Sequence, residues 1–135
     1  MVVGEVVSNY GGIDILVTNA AEQHLSNNIE EITEDRLLKF FRTNIFYQFF
    51  MVRHAFKHMK EGTSIINSTS GKACCGSPMV LDYSSTKGAI VAFTRAVALH
   101  LVIKGNLGKC RARRTGVDPL AGCVLARRND HKIWF

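Results

Sequence analysis

Thr63-Ser64-Ile65-Ile66-Asn67-Ser68-Thr69-Ser70 is the stretch on which the fold turns. It reads as a buried strand that ends in small hydroxyl residues. Thirteen residues beyond Ser70, Tyr83-Ser84-Ser85-Thr86-Lys87 sets a phenol and an ammonium one helical turn apart, on one face. A phenol is a poor proton donor or base at neutral pH. A fixed positive charge beside it favours the phenolate, which makes proton exchange with a hydroxyl or carbonyl oxygen feasible. Ser70 is placed to hold that oxygen by a hydrogen bond. Together these residues carry the chemistry of reversible carbonyl reduction.

Working outward, Val2 to Tyr10 reads as the end of a helix, stopped by Gly11-Gly12. Gly12-Ile13-Asp14-Ile15-Leu16-Val17-Thr18-Asn19-Ala20-Ala21 follows, with a second buried strand over 13–20 and a loop over 21–29. Thr33-Glu34-Asp35 opens a short helix, because Thr33 can cap it and the acids suit its positive end. A long helix is expected from about Thr43 to Lys60, closed by Glu61-Gly62. Gly71 to Val80 reads as a loop, and Asp82 to Val102 as the helix that carries Tyr83 and Lys87. Strands alternating with helices imply a parallel sheet covered on both faces.

Asn44, in Arg42-Thr43-Asn44-Ile45-Phe46, lies between the two strands. In this order and spacing the elements resemble the short-chain dehydrogenase/reductase family, over roughly residues 1 to 104. That resemblance implies an α/β fold: a partial Rossmann-like doubly wound parallel sheet, comprising the C-terminal half of the core. It also implies an NAD(P)-dependent oxidoreductase in which Asn44, Ser70, Tyr83 and Lys87 act together. Tyr83 would exchange the proton, Ser70 orient the oxygen, Lys87 assist Tyr83 and reach the nicotinamide ribose, and Asn44 hold a relay water. Asn19 and Ala20, with Tyr83 and Lys87, would line the cofactor crevice at the strand ends. Where the family has Asn-Asn-Ala-Gly, this chain has Thr18-Asn19-Ala20-Ala21. Ala20-Ala21-Glu22-Gln23-His24 and Leu81-Asp82-Tyr83 resemble one subgroup, which includes plant and bacterial NADPH-dependent aldehyde reductases, also described as glucose and ribitol dehydrogenase homologues. The implied substrate is a small carbonyl compound or polyol, and the implied cofactor NADP or NAD. The implied assembly is a homo-oligomer in the cytoplasm, with the chloroplast as the alternative.

The family binds pyrophosphate on a glycine-rich turn after its first strand. No Gly-x-x-x-Gly-x-Gly or Gly-x-Gly-x-x-Gly pattern follows a strand here. The expectation is an N-terminally truncated fragment lacking about two βαβ units of roughly 30 residues each. It would at most act as a dimerisation module, or be a pseudogene product.

The net charge of +6 is confined to one end. Residues 1–103 hold nine Lys and Arg against nine Asp and Glu, whereas residues 104–135 hold eight against two. A basic tail would ordinarily suggest nucleic acid, but residues 105–135 have a simpler explanation. Codons for Gly105 to Arg111, read one base later, can spell Gly-Ile-Trp-Val-Asn-Ala-Val, close to the family's next strand. The tail is therefore expected to be frameshifted translation, and neither a nucleic-acid nor a membrane partner is expected. The apolar run from Phe46 to Val52 is too short to span a bilayer and contains Gln48. The first residues form neither a secretory signal nor an Arg-rich transit segment.

His54 and His58 sit four apart but lack a His-Glu-x-x-His pattern and a third ligand, so they read as a solvent-facing pair. Adjacent Cys74 and Cys75, with Cys110 and Cys123 in the tail, have no paired metal spacing, and no metal is expected. The aromatic cluster Phe40, Phe41, Phe46, Tyr47, Phe49 and Phe50 reads as core or subunit interface.

Overall fold

The computed structural model describes residues 2–102 and the strand segments 107–113 and 124–125. Helix α1 (Val2–Tyr10) stops where Gly11 turns to φ +79° and donates its N–H to the Val7 carbonyl at 2.8 Å. That left-handed conformation carries no penalty for glycine. Strand β1 (Ile15–Thr18) follows, then an irregular loop and a single 3₁₀ turn at Ile29–Glu31. Thr33 caps α2 (Glu34–Phe41), its hydroxyl accepting from the Arg36 N–H at 3.3 Å.

The expected division into a short and a long helix is corrected by the structure. Helix α2 runs through a π-helical turn, Arg42–Phe46, directly into α3 (Tyr47–Phe56). No Gly or Pro interrupts residues 33–60, so nothing breaks the rod at residue 42. It ends at Phe56, short of Lys60. Strand β2 (Ser64–Ser70) leads to α4 (Lys72–Cys75), a single turn within the expected loop, closed by Gly76 at φ +67°. Helix α5 (Leu81–Val102) lies where the long catalytic helix is expected.

The sheet has the order β1-β2-β3-β4, where β3 is Leu107–Arg113 and β4 is Val124–Leu125. The first three strands are parallel, while β4 pairs antiparallel to β3. Leu16 is level with Ile65 and Thr18 with Asn67, and all four are buried. Leu16 and Ile65 join Val52 and Ala55 of α3 and Ile90, Phe93 and Leu101 of α5 in the core. On the other face Ile15 is 62% and Val17 57% exposed. The expected two-sided cover is thus met on one face among the described residues. Both crossovers advance in the same direction across the sheet, and right-handed connections then place α3 and α5 on the same side. The expected break at Gly105, Cys123 and most of the basic tail (114–123 and 126–135) lie outside the described residues.

Candidate functional site

Helix α5 is clamped to the end of β2 by two hydrogen bonds of opposite sense. The Thr69 hydroxyl donates to the Lys87 carbonyl at 2.8 Å, and the Lys87 ammonium donates to the Ser68 carbonyl at 3.1 Å. Lys87 is 3% exposed, and a charge so buried requires such partners. One turn earlier on α5, the Tyr83 ring lies with its centroid 5.5 Å from Lys87 Nζ. This brings the ammonium and the phenol together at the strand end, and Tyr83 remains part-exposed. Ser70, the last residue of β2, is also part-exposed, and its hydroxyl accepts from the Lys72 N–H at 3.3 Å. The strand end thus carries a part-exposed hydroxyl, and the first turns of α5 carry a part-exposed phenol with a buried ammonium beside it.

Asn44 is fully buried in the π-helical turn, and its side chain is engaged with the protein. Its Oδ1 accepts from the Glu22 N–H at 2.8 Å, and its Nδ2 donates to the Glu22 carbonyl at 3.0 Å and to Thr86 Oγ1 at 3.1 Å. The amide thus ties the loop after β1 to the residue preceding Lys87. π-turns insert one extra residue into a helix and recur at functional sites. No sequence period announces one, so the turn was not legible in the sequence.

Asn19 and Ala20 follow β1 directly and are exposed. Because β1 and β2 are parallel neighbours, the two residues open on the same edge as Ser70. Ala20 and Ala21 put no bulky side chain there, so the backbone is approachable. Asn19, Ala20, Tyr83 and Lys87, expected to line the cofactor crevice, thus all lie toward the C-terminal ends of β1 and β2.

Beneath the site runs a buried polar ladder that sequence reading missed. The Thr18 hydroxyl donates to Asn67 Oδ1 at 2.6 Å, Asn67 Nδ2 donates to Thr94 Oγ1 at 2.8 Å, and Thr94 donates to the Ile90 carbonyl at 2.7 Å. It joins β1, β2 and α5 through side chains that an apolar strand pattern treats as interruptions. Nearby Tyr47 has its pKa raised by burial, against the opposing pull of Gln48 and Thr18. Those two side chains lie close to its hydroxyl, but no contact among the described residues has full hydrogen-bond geometry.

His54 and His58, expected to face solvent, are each part-buried, and α3 ends between them. No cluster of three metal-ligating side chains forms among the described residues, and no described helix is long and apolar enough to cross a membrane. Cys74 and Cys75 are free and exposed. The aromatic run divides: Phe40 is buried, while Phe46, Phe49 and Phe50 are exposed. A groove of about 700 Å³ lies between α3 and α5, lined by Phe49, Val52, Phe56, Ala92, Phe93 and Val97. It does not include Ser70, Tyr83 or Lys87.

Comparison with known proteins agrees with this fold. The family model for short chain dehydrogenase matches residues 1–105. The chain is 62% identical over 135 residues to NADPH-dependent aldehyde reductase 1, chloroplastic, of Arabidopsis thaliana, covering 98% of this chain and 45% of that protein. It is 58% identical over 104 residues to glucose and ribitol dehydrogenase of Daucus carota, covering 77% of this chain and 36% of that protein. The chain thus spans less than half the length of these two relatives. Among solved structures, 3-ketoacyl-(acyl-carrier-protein) reductase from Brucella melitensis complexed with NADH is similar at a TM-score of 0.76 and 27% identity. That match covers 82% of this chain and 49% of the other.

Proposed function

The chain belongs to the short-chain dehydrogenase/reductase family, and on that premise we propose that it carries the catalytic edge of an NAD(P)-dependent oxidoreductase. The reaction is reduction of aldehydes or ketones, or oxidation of sugar alcohols. One observation carries this reading: the Lys87 ammonium, anchored on the Ser68 carbonyl, stands 5.5 Å from the Tyr83 ring centroid at the end of β2. When bound, the nicotinamide supplies or accepts hydride at the substrate carbon. Tyr83 gives its proton to the carbonyl oxygen in reduction and takes it back in oxidation. Ser70 donates a hydrogen bond to that oxygen, and Lys87 offsets the negative charge left on Tyr83. Asn44 steadies the site from beneath, with both of its amide N–H groups committed to the Glu22 carbonyl and Thr86 Oγ1. Positioned proton transfer of this kind contributes about 10²- to 10⁴-fold.

NADP is the proposed cofactor, since the Arabidopsis relative is named NADPH-dependent, and aldehydes are the proposed substrates on the same ground. The proposed compartment is the cytoplasm, or the chloroplast by analogy with that relative. The glycine-rich pyrophosphate turn has no counterpart in residues 1–135, so the test uses a chimera. Residues 2–102 replace the matching segment of the Arabidopsis reductase, and NADPH oxidation by small aldehydes is followed. Turnover within about tenfold of the parent is expected; a folded, NADPH-binding chimera without turnover would contradict the reading.

A second reading rests on the groove between α3 and α5. Its apolar lining, with Phe49 51% exposed, supports association with a second copy or a related chain, with or without catalysis. Sedimentation of the chain as a monomer at high micromolar concentration would count against it.

A further inference from the structure

The loop between β1 and α2 is mostly exposed and has no regular structure over 19–28, yet it is tied at several points. Asn44 holds Glu22 by both backbone groups. Two and three residues on, a single guanidinium takes over. Arg36 Nη2 donates to the His24 carbonyl at 3.1 Å and to the Leu25 carbonyl at 3.4 Å. Its Nε donates to Asp82 Oδ2 at 2.8 Å, and its face lies over Phe40, 5.5 Å from the ring centroid. The Asp82 side chain is fully buried and Arg36 is 23% exposed. Asp82 is the residue immediately before Tyr83, and its other oxygen, Oδ1, accepts the Tyr83 N–H at 2.8 Å. Backbone contact between Ser26 N–H and the Met79 carbonyl at 2.9 Å closes the arrangement from the far side.

Arg36 thus joins three segments distant in sequence: the loop, α2 and the first turn of α5. An arginine suits this position because its planar fork offers several donors in fixed directions, which a lysine ammonium does not reproduce. Burying Asp82 without a cation would leave an uncompensated charge beside Tyr83. The loop includes Asn19 and Ala20, so one side chain links the segment after β1 to the residue that holds the Tyr83 N–H.

We propose that Arg36 is a positioning residue: through Asp82 it fixes the start of α5 and the 22–26 loop together, and so registers Tyr83 against the loop that follows β1. The inference rests on the reading of Tyr83 as the proton-exchanging group, and its first test does not depend on turnover. Amide hydrogen exchange of the chain is followed by NMR in the wild type, Arg36→Gln, Arg36→Lys and Asp82→Asn. In Arg36→Gln and Asp82→Asn the Ser26 and Tyr83 amides are expected to exchange about tenfold faster, while Ile65 and Ile66 in β2 keep their rates, as in a local opening. Arg36→Lys keeps a cation for Asp82 but loses the fork, so it should restore Tyr83 protection and leave Ser26 exchanging fast. If Arg36→Gln fails to fold, Arg36→Lys and Asp82→Asn carry the same comparison. Unchanged Ser26 and Tyr83 amides would overturn the proposal, as would an equal rise throughout β2.

The second test is kinetic, in the aldehyde-reductase chimera. Arg36→Gln should lower kcat about tenfold, since small misplacements of catalytic groups cost that much or more. The KM for NADPH should stay within about twofold, and Arg36→Lys should recover part of kcat. Loosened amides with unchanged kcat would overturn the positioning role. If Tyr83→Phe instead retained full turnover, the reading of Tyr83 would fall while the exchange data still reported on the Arg36 latch.

Discussion

On the β2–α5 side of the site the proposed catalytic groups ride on regular elements: Ser70 ends a strand, Tyr83 and Lys87 sit on a 22-residue helix, and two hydrogen bonds lock the two together. On the β1 side the backbone of Asn19 to Asn28 has no ladder of its own, and side chains from elsewhere hold it: Asn44 on Glu22 and Arg36 on His24 and Leu25. The difference divides labour. The groups proposed to handle the proton need fixed mutual geometry, whereas a loop proposed to face the substrate can be held by contacts that substitution tunes without unravelling the sheet.

The largest expected break in that contrast is at Lys87. Lys87→Met removes the charge beside Tyr83 and the donor on Ser68, so in the chimera kcat should fall about 10²-fold or more with a rise in the KM for NADPH. Steady-state kinetics with both substrates varied checks this. Ser70→Ala should lower kcat by about tenfold to 10²-fold with little change in the KM for NADPH, because its hydrogen bond strengthens as charge develops on oxygen.

Beneath the site, Asn67→Ala leaves Thr18 and Thr94 without their buried partner. A destabilisation of about 1–3 kcal/mol is expected in urea unfolding, larger than for any single substitution among the exposed residues of the 19–28 loop. The smallest effect concerns Tyr47. Burial raises its pKa, so the folded state holds the phenol proton more tightly than the unfolded chain does. Its contribution is therefore complete below about pH 10 and is lost as pH rises through the folded value. Tyr47→Phe, which sacrifices no hydrogen bond within the described residues, should leave neutral-pH stability nearly unchanged and flatten the alkaline loss in thermal melts.

The β2–α5 side was legible in the sequence because its signals are local. A strand ending at Ser70 and a Tyr–Lys pair at helical spacing are read within a few residues, and both elements fall where expected. The β1 side was less legible, since its order comes from long-range polar contacts. Arg36 and Asp82 lie 46 positions apart, and neither is distinguishable in sequence from a surface charge. Asn44 was readable only through family resemblance, and its anchoring of Glu22 depends on a π-turn with no periodic signature. The open face bearing Ile15 and Val17 was misread because an apolar strand looks the same whether one face or both are covered.

Tyr83 carries the proposed proton exchange. Tyr83→Phe keeps the ring over Lys87 and removes only the transferable proton, so the informative measurement is single-turnover reduction of a good aldehyde by the NADPH-loaded chimera. The expected result is a loss of about 10²-fold or more in the chemical step, with NADPH affinity and thermal stability essentially unchanged. A single-turnover rate equal to that of the Tyr83 chimera would contradict the assignment of proton exchange to this residue.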